Sequence, residues 1–270
     1  MTKNNVAIVD ADSLLYYEMG KDTLEEAMAG IDERIQDIMD KTNSNKLTGF
    51  LTLGKCFRYE YAKSKPYKYN RKGKSKPPIF YALREYVQQK YLFRAVKGLE
   101  ADDCVAIAAD EWHKVLTFAE DAGDVEEYAI IICSPDKDVL KQIPGIHYNY
   151  QKAEFHETTE AEARDFLWKQ VLMGDSTDGI PGIPGLGPKT ADSIIDNMPS
   201  ALSHHEVVLS HYIAKFGLDE GIDRFYETYK LIRIIDNVEH VPKGVDYWTG
   251  DFTDHIEQVA KKETEEESWE

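Results

Sequence analysis

Short apolar runs alternate with longer amphipathic stretches through the first part of the chain, and the alternation stops near residue 160. Residues 6–10, Val-Ala-Ile-Val-Asp, form an apolar run ending in an acid, as a buried parallel strand does when its C-terminal end faces a site. Over 24–39, Leu24, Ala27, Met28, Ile31, Ile35 and Ile38 recur at helical spacing. Further strands are predicted at 47–53, 92–96, 128–133 and 146–150, with a helix over 102–119 between the third and fourth strands. Beyond residue 160 only helical stretches follow, at 161–173, 189–198, 207–216 and 221–235. Strands alternating with helices predict an α/β fold, a mostly parallel central sheet with helices on both faces, so that acids at strand ends converge on one edge. The expected division is an α/β core over 1–160, a helical lobe over 161–260 and an acidic tail over 261–270 with the composition of a disordered segment. Nothing of linker composition separates core from lobe, and there is no internal repeat.

At 270 residues and 42% hydrophobic content the chain can bury a sizeable core. No apolar run approaches the roughly 20 residues that span a bilayer, and MTKNN leads into VAIVD without a signal-type apolar region, so a cytoplasmic protein with no membrane partner is expected. Cys56, Cys104 and Cys133 are odd in number, widely spaced and in apolar surroundings, which fits reduced core residues rather than disulfides or a zinc site. The net charge of −17 argues at first against a polyanionic partner. Its distribution reverses that impression, because 13 of the 32 Lys and Arg residues lie between Lys55 and Lys97, where only Glu60 and Glu85 represent the 49 acids. One segment attracts an anion and the remainder repels it, which confines a DNA or RNA strand to one path.

Carboxylates fall at strand ends and helix starts: Asp10, Glu100, Asp102, Asp103, Asp136, Asp138, Asp175 and Asp178. Within 134–138, Ser-Pro-Asp-Lys-Asp, alternate acids face one side if the backbone is extended. Gathering so many like charges costs Coulomb energy unless cations neutralise them, and hard oxygen donors without His or Cys favour Mg²⁺ or Mn²⁺. Two such ions about 4 Å apart suit in-line displacement at phosphorus, so phosphodiester hydrolysis is the leading chemistry. Asp175 and Asp178 directly precede a glycine-punctuated turn, 179–187, that opens a helix, a geometry whose backbone N–H groups grip phosphate. His204, His205 and His211 lie beyond the acidic clusters and read as surface or helix-packing residues; Asp12 and Glu18 read as solvated or capping.

With these motifs in order, Val9-Asp10, Tyr67-Lys68-Tyr69-Asn70-Arg71, Leu99-Glu100-Ala101-Asp102-Asp103, Asp136-Lys137-Asp138 and Met173-Gly174-Asp175-Ser176-Thr177-Asp178, the chain resembles the 5′ nuclease superfamily over roughly residues 5–200. That superfamily comprises flap endonucleases, phage 5′ to 3′ exonucleases and the 5′ nuclease domain of DNA polymerase I, and the compact phage exonucleases are the nearest in look. The resemblance implies a first cation on Asp10, Glu100 and Asp102, and a second on Asp102, Asp136, Asp138 and Asp175, with Asp103 and Asp178 acting beside them or through water. It implies that Lys68 and Arg71, in a basic arch at about 57–90, offset charge on the scissile phosphate, with Asp10, Asp102 and Asp136 central to catalysis. Tyr67, with a stacking or packing role, Lys68, Arg71, Lys72 and Lys74 are the implied arch contacts to DNA. Gly182, Gly185, Gly187, Lys189 and Thr190 belong to a helix-hairpin-helix-like element at about 174–198 that holds the duplex backbone, often with K⁺. The implied substrate is DNA with a free 5′ end, flap, nick or gap, and RNA primer–DNA hybrids as well, cut to 5′-phosphate products; a monomer, a replication-protein partner and, for a phage protein, the host cytoplasm are also implied.

One departure stands out. Relatives carry a further aspartate at the end of the second strand, whereas 50–55, Phe-Leu-Thr-Leu-Gly-Lys, contains no acid. The first metal site thus loses a ligand, for which Glu60 or Asp12 can compensate in space. The same departure supports an alternative, a structure-specific DNA-binding protein that has lost hydrolysis.

Overall fold

A computed structural model describes residues 5–71, 73, 76–121, 129–245 and 247. Strands β1 (Asn5–Asp10), β2 (Ser44–Leu51), β3 (Arg94–Ala95), β4 (Ile130–Cys133), β5 (Gly145–Asn149) and β6 (Glu154–Thr158) form one sheet in the order β3-β2-β1-β4-β5-β6. Every pairing is parallel except that of β6 on β5. Alternation along the central strands sorts side chains onto two apolar faces. Val6, Ile8, Ile130 and Ile132 face one core cluster, and Ala7, Val9, Ile131 and Cys133 face the other.

Helices cover both faces. α1 (Asp12–Glu18), α2 (Leu24–Lys41) and α4 (Pro78–Tyr91) supply Leu14, Ile31, Ile35, Phe80 and Leu83 to the second cluster. Between α2 and α4 lies the single turn α3 (Arg58–Tyr61). On the opposite face α5 (Ala101–Asp121) buries Cys104, Val105 and Ile107. After β4 comes the short α6 (Lys137–Gln142).

The remaining helices, α7 (Glu160–Met173), α8 (Pro188–Asp196), α9 (His204–Phe216) and α10 (Leu218–Ile232), enclose a third cluster built on Trp168, Val171, Leu172, Tyr212 and Phe225. Thr159 with Glu162, and Ser203 with Glu206, form capping boxes that fix where α7 and α9 begin. Trp168 stacks on Tyr229 at 5.2 Å and on His204 at 6.4 Å, and His204 also bonds Asp165, so this histidine is a helix-packing residue as expected. Between α7 and α8 the chain forms a two-stranded hairpin, β7 (Gly174–Asp175) with β8 (Ile180–Pro181).

The apolar runs locate β1, β2, β4 and β5 within a few residues. The strand expected at 92–96 shrinks to two residues, and four of the five residues of β6 are exposed, so no apolar run announces that strand. The condition of an extended backbone through 138 is not met: Asp136 is itself extended, but it accepts the Asp138 N–H at 2.7 Å and caps α6, turning the chain into helix at Lys137. All three cysteines are buried and free. No described helix is long and apolar enough to cross a membrane. The expected tail over 261–270 lies outside the described residues.

Candidate metal and nucleic-acid site

The order of connection reverses at β1, which has β2 on one side and β4 on the other, and a crevice opens beyond the C-terminal ends of these strands. Asp10 closes β1, Asp136 follows β4, and Glu100 and Asp102 lie at the start of α5. The β7–β8 hairpin brings Asp175 and Asp178 to the same place. The resulting cleft, about 1030 Å³, is lined by these six carboxylates together with Asp138 and Asp12, and by Lys68 and Arg71. Seven of the eight acids expected to hold metal therefore share one cleft, and Asp12, expected to be solvated or capping, joins them.

Asp10 is 6% exposed; its Oδ2 accepts from the Ser134 hydroxyl at 3.0 Å, while buried Oδ1 has no hydrogen-bond partner among the described residues. Burial pushes its pKa up to about 7, and the charges of Asp12 and then Asp136 add to the rise. Burial and Asp136 likewise lift Asp138 to about 6. Burial, with Asp103 and Glu100 adjacent, holds Asp102 well above the carboxylate range. A cation placed among these groups would remove that penalty.

Glu100 behaves oppositely, because burial, which raises it, is overcome by Arg58 and Lys68, and its pKa stands at about 2. Arg58, only 2% exposed, is a residue that the sequence does not single out, since there it counts with the basic surface. Its Nη1 donates to Glu100 at 3.1 Å and to Asp103 at 2.7 Å, and its Nη2 to Asp103 at 2.8 Å. Nε and Nη2 also reach the carbonyls of Leu231 and Arg233 at 3.0 and 2.8 Å. Asp103 is fully buried and further accepts the Ile235 and Glu100 N–H groups. The expectation that Asp103 serves the metal is corrected: its oxygens are committed to an internal guanidinium and to backbone, and it does not line the cleft. Glu18 is corrected too, being buried and paired with Arg34 rather than solvated.

The basic stretch is docked on the acidic hairpin. Lys68 donates its N–H to the Asp178 carbonyl at 2.8 Å, Asn70 bonds the Thr177 carbonyl at 2.7 Å, and the Tyr69 ring lies where a Cβ on Gly179 (φ +73°) would clash at 2.6 Å. Lys68 sits in the left-handed region at φ 52°, an uncommon conformation for a side-chain-bearing residue, and its ammonium pairs with Glu100 and lies 3.5 Å from Asp178. Arg71 Nη2 meets Asp178 at 2.8 Å and stays half exposed. Burial lowers Lys68, but Glu100 and Asp178 outweigh it and raise its pKa, so the side chain is a fixed cation. Tyr67 is 5% exposed, with its hydroxyl donating to Glu100 at 2.8 Å and Asp178 at 3.2 Å. Its ring is core, so a base-stacking role is not available to it. Lys72 and Lys74 lie outside the described residues.

Gly182, Gly185 and Gly187 follow the hairpin, and Gly187 caps α8, whose first turn exposes Lys189 and Thr190. Helix, glycine turn and helix thus succeed one another where expected.

As placed, no three His, Cys, Asp or Glu side chains among the described residues surround a point closely enough to hold an ion. Side-chain cations stand between them: Lys68 and Arg71 as above, and Lys137 at 3.4 Å from Asp175 and 3.9 Å from Asp138. The chemistry nonetheless fits a hard cation. The candidate donors are all carboxylate oxygens, and one buried oxygen among them, Asp10 Oδ1, is orphaned.

No family model matches the chain. It is 30% identical over 147 residues to a 5′-3′ exonuclease of Bacillus subtilis, covering 54% of this chain and 40% of that protein. It is 30% identical over 163 residues to flap endonuclease Xni of Shewanella oneidensis, covering 57% and 58%. A 5′-3′ exonuclease of Buchnera aphidicola is 29% identical over 213 residues, covering 70% and 69%. The chain thus spans about half the length of the first two. Among solved structures, T5 5′-exonuclease with bound zinc ions superposes at TM-score 0.59 and 16% identity over 86% of this chain and 90% of that one. A bacteriophage T5 flap endonuclease complex with DNA and metal ions gives 0.58 and 17% over 96% and 100%. The fold is the α/β fold of those solved nucleases, and in sequence the chain is similar to 5′-3′ exonucleases and a flap endonuclease.

Proposed function

We propose that the chain is a divalent-metal-dependent 5′ nuclease, a 5′ to 3′ exonuclease and flap endonuclease that hydrolyses DNA phosphodiesters to 5′-phosphate products. One observation carries the reading: eight carboxylates and the cations Lys68 and Arg71 line a single open cleft at the switch point of the sheet. Asp10, Glu100 and Asp102 would hold one Mg²⁺ or Mn²⁺, and Asp102, Asp136, Asp138 and Asp175 a second. Such a pair, when bound, supplies an activated water and stabilises the leaving oxygen.

The protein's own part is to seat and neutralise the phosphate. A strand entering the cleft competes with Glu100 and Asp178 for Lys68 and Arg71, which then offset the charge that builds on phosphorus oxygens. Asp178 keeps both cations in place until that exchange, a holding role rather than ligation. Gly182, Gly185, Gly187, Lys189 and Thr190 grip the duplex by its backbone, with K⁺ at the turn, so selection is for structure and not sequence. DNA with a free 5′ end, flap, nick or gap is the substrate, with RNA primer–DNA hybrids a second one. The protein works as a cytoplasmic monomer beside replication proteins.

The absence of an acid in 50–55 favours one alternative, a DNA-binding protein without hydrolysis. End-labelled flap, nicked and single-stranded DNA, incubated with and without Mg²⁺ or Mn²⁺, separates the two. Cation-dependent products whose lengths mark cuts near the 5′ end are expected. Tight binding with no cleavage at any cation concentration would establish the alternative.

A further inference from the structure

Thr52, just beyond the end of β2, staples two parts of the cleft. Its N–H donates to Asp12 Oδ1 at 3.1 Å, and its hydroxyl accepts the Ala101 N–H at 3.0 Å, one residue before Asp102. The first bond draws the Asp12 side chain from the start of α1 across to the tip of β2. There the strand itself offers only Leu51, fully buried in the core, and the hydroxyl of Thr52. The main chain reinforces this approach, since the Ala11 N–H bonds the Phe50 carbonyl at 2.9 Å. Asp12 therefore lines the cleft with Asp10, Glu100 and Asp102, and its charge acts on Asp10.

The same cleft holds an orphaned oxygen. Asp10 Oδ1 is buried and has no partner among the described residues, whereas the other oxygen of this cleft-lining carboxylate is engaged by Ser134. An unsatisfied buried carboxylate oxygen next to a second carboxylate is costly while both are charged, and a cation between them removes that cost. Thr52 engages Oδ1 of Asp12, and Asp12 lines the cleft.

We propose that Asp12 is a ligand of the first cation, completing with Asp10, Glu100 and Asp102 the donor set that the tip of β2 leaves short. Glu60 is not placed for this role, since it is exposed on α3 and does not line the cleft. The assignment rests on the metal-dependent reading above and names a ligand within it.

The test is a Mn²⁺ titration of the full chain without DNA, followed by the electron paramagnetic resonance of free Mn²⁺. Asp12→Asn keeps an oxygen to accept the Thr52 N–H and removes only the charge. It is expected to weaken one Mn²⁺ site about tenfold or more while leaving the melting temperature in EDTA unchanged. Glu60→Gln is expected to bind as the wild type does. Should Asp12→Asn fold poorly, Asp12→Glu, which lengthens the side chain but keeps its charge, is expected to retain both sites with an altered affinity at one. Unchanged Mn²⁺ affinity in Asp12→Asn, or a loss in Glu60→Gln instead, overturns the assignment alone. A wild-type chain that binds no Mn²⁺ overturns both the assignment and the metal-dependent reading beneath it.

Discussion

Replacing Arg58 by Met removes a buried cation while keeping most of its volume, and the contacts of the guanidinium set the cost. Five hydrogen bonds disappear, three to Glu100 and Asp103 and two to the carbonyls of Leu231 and Arg233. Each orphaned carbonyl costs about 1–3 kcal/mol, but these penalties overlap as the site relaxes, and breaking one side of a buried ion pair costs about 3–5 kcal/mol in all. A second route gives a similar ceiling. A buried carboxylate stripped of its partner escapes by taking up a proton, which at pH 7 costs about 4 kcal/mol from the ordinary carboxylate value. Urea unfolding of Arg58→Met should therefore show a loss of about 3–5 kcal/mol at pH 7. The escape route also predicts that the loss shrinks toward pH 5, by up to about 1.4 kcal/mol per pH unit, because the proton is then easier to acquire. Adding Asp103→Asn to Arg58→Met, which removes the stranded charge but keeps an acceptor for the Ile235 N–H, should recover part of the loss. A loss below about 1 kcal/mol at pH 7 would refute the reasoning and mean that water reaches this group.

Three further outcomes are expected from the geometry. Lys68→Ala and Arg71→Ala should each lower single-turnover cleavage about 100- to 1,000-fold without weakening cation binding; a decrease under about 3-fold would remove them from the reacting phosphate. Gly182→Ala would place a Cβ 2.1 Å from the Met173 carbonyl carbon and should cost about 1–3 kcal/mol by thermal denaturation, whereas Gly187→Ala, with nothing within 4 Å, should cost under about 1; similar losses for both would contradict the packing at the hairpin. His147 is fully buried with Nε2 on the Ile143 carbonyl, and burial pulls its pKa down to about 4. The unfolded chain protonates first, so the stability held above about pH 6.5 drains away as pH falls toward 4, by about 2 kcal/mol at pH 5 and about 3 in full. His147→Gln should lose correspondingly less stability between pH 7 and 5 in urea unfolding, and an identical pH profile for the two proteins would exclude this histidine as the cause.

Legibility in the sequence divides along the range over which each feature is determined. β1 and β4 are legible because both of their faces are apolar, so a run such as Ile-Ile-Ile-Cys has no other use. The acids of the cleft are legible because topology alone brings strand ends and helix starts to one edge. Arg58 is not, since its partners lie 42, 45, 173 and 175 residues away and nothing adjacent distinguishes it from the lysines beyond it. With no internal cation in view, Asp103 reads as a metal ligand, although a bidentate guanidinium already satisfies it. Tyr67 stays undecided in the sequence for the same reason, and the structure selects packing, its ring being buried in the cluster of α7–α10 and its hydroxyl claimed by acids 33 and 111 residues distant. Asp12 is legible only in part. A carboxylate in the first turn of a helix suits the helix dipole, so the sequence allows both a capping role and a place beside the metal, and the cleft lining and the bond from Thr52, 40 residues on, place it at the cleft. Charge in this protein is thus balanced in two separate compartments. Arg58 neutralises the buried side of the α5 start from within the core, whereas Lys68, Arg71 and Lys137 neutralise the open side from the cleft wall. On the proposed function, a cation or a phosphate displaces the second set of contacts and leaves the first, so that one cluster of acids holds the fold while its neighbours serve the chemistry.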